Sequence, residues 1–152
     1  MSWLKSPGEG LLLSGTVGSG KTHLAAAIVR ERIEHGTTAS FRRMADFYAA
    51  LRESYRTNVS EAEVVRPYVD SPLMVLDDLG AGSLTDFERR STLEILDQRQ
   101  NRMRPTIVTT NWELGEVAEK MDDRISSRLA MYRNLRLAGA DRRLTLVAAG
   151  SR

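Results

Sequence analysis

Gly15-Thr16-Val17-Gly18-Ser19-Gly20-Lys21-Thr22 is a complete G-x-x-x-x-G-K-[ST] stretch, and its reading decides the fold. Its glycines let successive backbone N–H groups turn into one concavity, where they cradle phosphate oxygens. Lys21 reaches the β- and γ-phosphates as a point charge, and the Thr22 hydroxyl is placed to hold Mg²⁺. The flanks supply the context this loop needs. Gly10-Leu11-Leu12-Leu13-Ser14 reads as a buried strand and residues 22–35 as a helix. The phosphates then meet a helix N-terminus with its positive dipole end. Gly15, Thr16, Val17, Gly18, Ser19, Gly20, Lys21, Thr22 and the following His23 form the candidate nucleotide-binding set. The ligand class is a nucleoside triphosphate.

Composition narrows the setting. The 152 residues are enough for one core, and residues 1–152 are expected to form a single ATP-binding domain. No apolar run approaches the roughly 18–20 residues of a membrane span, and no signal peptide opens the chain. Zero cysteines exclude disulfides and thiolate metal sites, in keeping with a cytoplasmic location. Two scattered histidines, His23 and His35, argue against zinc. Net charge is only +2, yet the pI is about 9.2, a lean towards phosphate-rich partners that solvated arginine-bearing helix faces explain equally well.

Outward from the loop, strands and helices alternate. Gly36 stops the first helix, and residues 37–41 read as a second strand. A helix carrying Ala45, Phe47, Tyr48, Leu51 and Tyr55 as an apolar stripe follows. Residues 57–72 are polar, with Pro67 and Pro72, and read as irregular. Leu73-Met74-Val75-Leu76-Asp77-Asp78 lacks alternation and suits a central strand buried on both faces. Thr85-x-x-Glu88 is a capping-box signature for a helix with Phe87, Leu93, Ile95 and Leu96. Thr106-Ile107-Val108-Thr109-Thr110 is β-branched and runs into Asn111. A helix with Met121, Ile125 and Leu129 precedes a last strand expected at residues 144–148. This order calls for a three-layer α/β fold with a parallel central sheet. Ligands in such sheets sit at the carboxyl ends of strands, where residues 16–22, Asp77, Asp78 and Asn111 all fall.

Hydrolysis of ATP needs a carboxylate for Mg²⁺, a group that orients water, and positive charge at the γ-phosphate. Asp77, ending a buried strand, is the candidate magnesium carboxylate beside Thr22. Asp78 is the candidate for polarising the attacking water. Neighbouring strand residues point to opposite faces, so both can serve only if the chain turns there, and Gly80 and Gly82 permit that. Asn111 can hold the lytic water or sense the γ-phosphate. In Asp123-Arg124-Ile125-Ser126-Ser127-Arg128-Leu129 two arginines share one helix face. They either pair with Asp122, Asp123 or Glu119, or one projects at a neighbouring subunit's nucleotide.

Together these residues resemble the AAA+ ATPases, in the branch of DnaC-type helicase loaders and IstB-type transposition helper ATPases. The resemblance rests on Gly15–Thr22 with His23-Leu24, Leu76-Asp77-Asp78-Leu79-Gly80, Asp97-Gln98-Arg99, Thr109-Thr110-Asn111 and Arg124-x-x-Ser127-Arg128-Leu129, and covers roughly residues 10–130. It implies a Mg²⁺-dependent ATPase, slow unless oligomeric or DNA-bound, with Asn111 as sensor and Arg128 as a finger acting in trans in a homo-oligomer. Arg99 ends the helix before the sensor strand, with its role open. A minimal or absent lid is expected, and Arg152, in Gly150-Ser151-Arg152, would be a remnant of a second sensor arginine.

The likeness further implies single-stranded DNA as a partner, gripped by residues 42–68, with a replicative helicase or a transposase as the protein partner. Arg42, Arg43, Phe47, Arg52, Tyr55 and Arg56 are the candidate contacts, beside Tyr48, Arg66 and Tyr68. Arginines track phosphates and aromatic faces stack bases; the same aromatics also fit the stripe of an ordinary packing helix. Two other functions stay open at this point: a small P-loop kinase, and an ATP-dependent binding module without turnover.

Overall fold

The structure is a computed structural model that describes residues 10–139. Its elements run β1 (Gly10–Gly15), α1 (Lys21–Glu34), β2 (Ala39–Arg43), α2 (Met44–Ser54), α3 (Glu61–Asp70), β3 (Leu73–Leu79), α4 (Asp86–Asn101), β4 (Thr106–Thr110), α5 (Leu114–Lys120), α6 (Asp123–Ala130) and β5 (Arg133–Leu137). All five strands are parallel in the order β2-β3-β4-β1-β5. The expected α/β layering with a parallel sheet is what forms. The carboxyl ends of β1, β3 and β4 lie side by side in the middle of the sheet.

The unbroken apolar runs of the central strands have a direct cause: each strand feeds two cores. Leu11, Leu13, Leu73, Val75 and Ile107 face Ala25, Ile28 and Val29 of α1. Leu12, Met74, Leu76 and Val108, one residue out of phase, face a larger core with Met44, Phe47, Leu51, Ile95, Leu96, Ile125 and Leu129. Period-2 alternation sends successive side chains to opposite faces, so a strand covered on both sides must be apolar at every position.

Four sequence expectations need correction. The one helix read through Met121, Ile125 and Leu129 is two: Met121 is the C-cap of α5, and Ile125 and Leu129 lie on α6. Residues 57–72 are not irregular: α3 occupies Glu61–Asp70 with Pro67 inside it. Ser60 opens this helix with a reciprocal capping box to Glu63, and Pro67 is exposed, so its ring meets solvent on the outer side. The second strand begins and ends two residues later than read, carrying Arg42 and Arg43 into the sheet edge. The strand after α6 is β5, an exposed edge strand hydrogen-bonded to β1, which the sequence reading passed over. The strand expected at 144–148, the lid region and Arg152 lie outside the described residues. Among the described residues no helix is long and apolar enough to cross a membrane.

Candidate nucleotide site

Gly20 caps α1 from the left-handed region, at φ 94° and ψ 13°, a conformation that costs glycine little. It brings the loop's amides round to the start of the helix. Of the six described helices, α1 is the one with no acidic residue in its first turn; α2 to α6 each carry at least one. Its positive end is therefore left for an outside anion. Lys21 is 7% exposed, and its Nζ donates to the carbonyls of Gly15 at 2.8 Å and Thr16 at 2.7 Å. The ammonium thus lies across the loop that would hold the phosphates.

Fifty-five residues downstream, Asp77 is 4% exposed and its Oδ1 accepts from Thr22 Oγ1 at 3.0 Å. The same oxygen accepts from Thr109 Oγ1 at 2.7 Å. A hydroxyl and a carboxylate oxygen side by side are the hard donors Mg²⁺ takes when substrate phosphate supplies further ligands, so Thr22 and Asp77 fit that ion.

Asp78 reaches the site by a different device. β3 and β4 pair Leu76 with Val108 and then Leu79 with Thr110, so Asp77 and Asp78 together oppose Thr109. This is a β-bulge, and Asp78 takes φ 60° within it. The turn falls on Asp78 itself, two residues before Gly80. Left-handed backbone is uncommon for non-glycine residues, and Asp is among the few that enter it readily. The bulge buries Asp77 and leaves Asp78 exposed at the strand end. Asn111 Nδ2 donates to Asp78 Oδ1 at 3.3 Å, which joins the two expected γ-phosphate groups. Gly80 is required beyond the bulge: at φ 95°, a Cβ there would lie 2.5 Å from the Trp112 ring.

Thr109 is the residue that sequence reasoning missed. Its hydroxyl donates to Asp77 and accepts from the Asp78 amide at 2.8 Å, so one side chain holds the Asp77 carboxylate and the Asp78 backbone. Its place in Thr109-Thr110-Asn111 was the available signal: a hydroxyl on the strand beside an Asp-Asp pair. Thr109→Val keeps the shape but removes the acceptor of the Asp78 amide and one bond to the Asp77 carboxylate. The expected loss is about 2–4 kcal/mol, read as a lowered urea midpoint.

Arg128 on α6 pairs through Nε with Asp97 Oδ1 on α4, and both side chains are part-exposed. Arg124 is held elsewhere, by Asp122 Oδ1 at 3.1 Å and Oδ2 at 3.0 Å at the start of its own helix. Among the described residues no bond joins Arg128 to the phosphate loop of its own chain.

The DNA candidates separate sharply. Phe47 is fully buried, packed on Tyr48 and Tyr68 with ring centroids 5.6 and 4.6 Å away, and offers no face to a base. Tyr48 and Tyr68 are buried too. Of the expected stripe, Phe47, Tyr48 and Leu51 are core packing while Ala45 and Tyr55 are exposed, which corrects Phe47 as a contact. Arg42, Arg43, Arg52 and Arg56 are exposed. Tyr55 is 70% exposed and lies 5.1 Å from the ring of Phe87, with the Arg90 guanidinium 5.3 Å above that ring. Arg52 adds a 2.5 Å ion pair to Glu88, next in sequence to Phe87. The aromatic surface here is formed by Tyr55 and Phe87, flanked by arginines from two helices.

Residues 1–135 match the family model described as IstB-like ATP binding protein. The replicative helicase loader DnaC of Escherichia coli K12 is 29% identical over 125 residues, 82% of this chain and 51% of the relative. A Sinorhizobium fredii protein named "Putative insertion sequence ATP-binding protein" is 34% identical over 116 residues, 76% of this chain and 38% of that protein. The chain thus spans about half the length of the first of these relatives or less of the other. A solved crystal structure of the DnaC helicase loader superposes with a TM-score of 0.77 at 29% identity, covering 87% of this chain and 80% of that one. The five-stranded parallel sheet in this order matches that of AAA+ structures, and the chain belongs to the family of IstB-like ATP-binding proteins.

Proposed function

We propose that this chain is a Mg²⁺-dependent ATPase of helicase-loader type, which couples ATP binding and hydrolysis to holding single-stranded DNA and loading a replicative helicase. The observation that carries the reading is the cluster of Thr22, Asp77, Thr109, Asp78 and Asn111 at adjoining strand ends, joined by hydrogen bonds of 2.7–3.3 Å. Lys21 exchanges the Gly15 and Thr16 carbonyls for the β/γ-phosphates. Thr22 and Asp77 would hold Mg²⁺, which would supply neutralisation of charge on the phosphate oxygens. Asp78, turned outward by the bulge and tethered by Asn111, orients and deprotonates the attacking water. Arg128 completes the site of a neighbouring copy in trans. Tyr55 and Phe87 stack bases while Arg42, Arg43, Arg52, Arg56 and Arg90 track the phosphates.

Two features support turnover over a kinase reaction or a silent switch. Asp78 and Asn111 face the strand end where water has access, and Asn111 and Arg128 have no task in phosphate transfer to a small acceptor. The test is phosphate release by the full chain without any acceptor, with and without single-stranded DNA, using Lys21→Ala as the blank. Release that DNA stimulates severalfold is the expected result. Release only when an acceptor is added would make the protein a kinase, and ATP binding without release would make it a switch.

A second reading, assistance to a transposase, has the family model and the 34% identical insertion-sequence relative behind it. Complex formation with a purified replicative helicase, against a transposase, decides between them.

A further inference from the structure

Arg128 and Asp97 meet through a single guanidinium nitrogen, as Arg30 does with Glu34 and Arg136 with Glu113. Asp97 Oδ1 takes the guanidinium at Nε, and among the described residues neither Nη group of Arg128 has a partner. A guanidinium presents donors along two useful edges, and a carboxylate on Nε leaves the Nη1–Nη2 edge open for bidentate contact with a phosphate. The other nearby arginine does not compete, because Arg124 is occupied by both oxygens of Asp122. Asp97 itself is placed by α4, whose opposite face carries the buried Arg99 two residues on, so its backbone is anchored in the core. α4 also carries Glu88 and Phe87 at its start, so one rigid helix runs from the aromatic surface to the arginine.

We propose that Asp97 is a positioning residue, which grips Arg128 by Nε and aims its Nη pair at the γ-phosphate held by an adjacent copy. The inference rests on the trans role of Arg128 given above and extends it to the residue that sets the arginine's direction. An arginine free to rotate about its long side chain must be ordered in each turnover. One already fixed along its Nε edge meets the phosphate in place, and misplacement of such a group by about 1 Å costs on the order of a hundredfold in rate.

The experiment uses the full chain and mixed subunits. Asp97→Ala is expected to lower the maximal turnover rate about tenfold to a hundredfold, with ATP affinity and the far-UV circular dichroism spectrum unchanged. Asp97→Asn keeps an acceptor for Nε and should retain more activity than Asp97→Ala. The deciding readout is complementation. Lys21→Ala subunits cannot turn over ATP but carry an intact Asp97–Arg128 pair, so mixing them with Asp97→Ala subunits should raise turnover above the sum of the two alone. The same mixture made with Arg128→Ala subunits tests the underlying trans reading. If the Arg128→Ala mixture recovers activity and the Asp97→Ala mixture does not, Asp97 serves only the fold and the proposal is wrong. If neither recovers, the trans assignment of Arg128 is what fails. Turnover that rises in Asp97→Ala alone would mean that the pair restrains the arginine, which also overturns the proposal.

Discussion

Asp78→Asn is expected to lower phosphate release at saturating ATP by about 10²–10⁴-fold, the range a positioned general base contributes. The substitution isolates the chemistry with little disturbance of the backbone. Asp78 stands at φ 60°, and asparagine enters that left-handed region as readily as aspartate. Its amide N–H still donates to Thr109 Oγ1, and its side-chain oxygen still accepts from Asn111 Nδ2. What disappears is the negative charge that, on the proposed reading, draws a proton from water. ATP affinity, set by the loop and by Thr22 and Asp77, should change by less than about threefold, since none of those contacts is touched. Single-turnover phosphate release read beside nucleotide binding separates the two quantities. A release rate within threefold of the parent chain would leave Asp78 as a mere anchor for Asn111, and the base would have to be sought elsewhere.

The parts of this site that sequence makes legible are those with a local pattern. The phosphate loop has fixed spacing, and β3 and β4 are apolar at every position because both sheet faces are covered. Thr85 and Glu88 announce α4, and the structure has that capping box. What stays hidden depends on pairing between distant segments. The bulge at Asp77 and Asp78 exists only because β4 offers Thr109 as the single opposing residue, so no pattern within β3 reveals it. Ser60 and Glu63 carried a second capping box that could have shown α3, but Pro67 and Pro72 outweighed it. Phe47 lay within its own stripe, and burial there decides against stacking bases, whereas Tyr55, one turn beyond Leu51, is left outside. β5 escaped notice because an edge strand with four exposed residues carries little apolar signal.

Arg99→Ala is expected to destabilise the protein by about 3–5 kcal/mol, the order expected when several buried carbonyls lose a charged hydrogen-bond donor. Arg99 is wholly buried on the inner face of α4. Burial pulls its pKa down to about 10, so it stays charged at neutral pH and must be solvated by the protein. Its Nε donates to Thr106 Oγ1 at 2.8 Å, and Nη2 to the Pro105 carbonyl at 2.7 Å. Nη1 lies 2.9, 3.1 and 2.8 Å from the carbonyls of Tyr68, Val69 and Ser71. The first two belong to the last turn of α3, which has no basic residue of its own. One guanidinium therefore caps α3, satisfies the entry to β3 and ties both to the start of β4, the strands whose far ends carry Asp77, Asp78 and Thr109. Alanine leaves the Tyr68, Val69 and Ser71 carbonyls without this donor, while the Pro105 carbonyl keeps the Met74 amide, and the loss costs about 1–3 kcal/mol for each carbonyl that water cannot reach. A thermal midpoint lowered by roughly 6–20 °C is the corresponding shift for a chain of this size. Arg99→Lys separates charge from geometry. An ammonium has no rigid planar fork to span three segments, so lysine should recover less than half of the loss. Full recovery by lysine would mean that charge at the end of α3 is all this position requires, and that the three-way tie does not hold the sheet's active end in register.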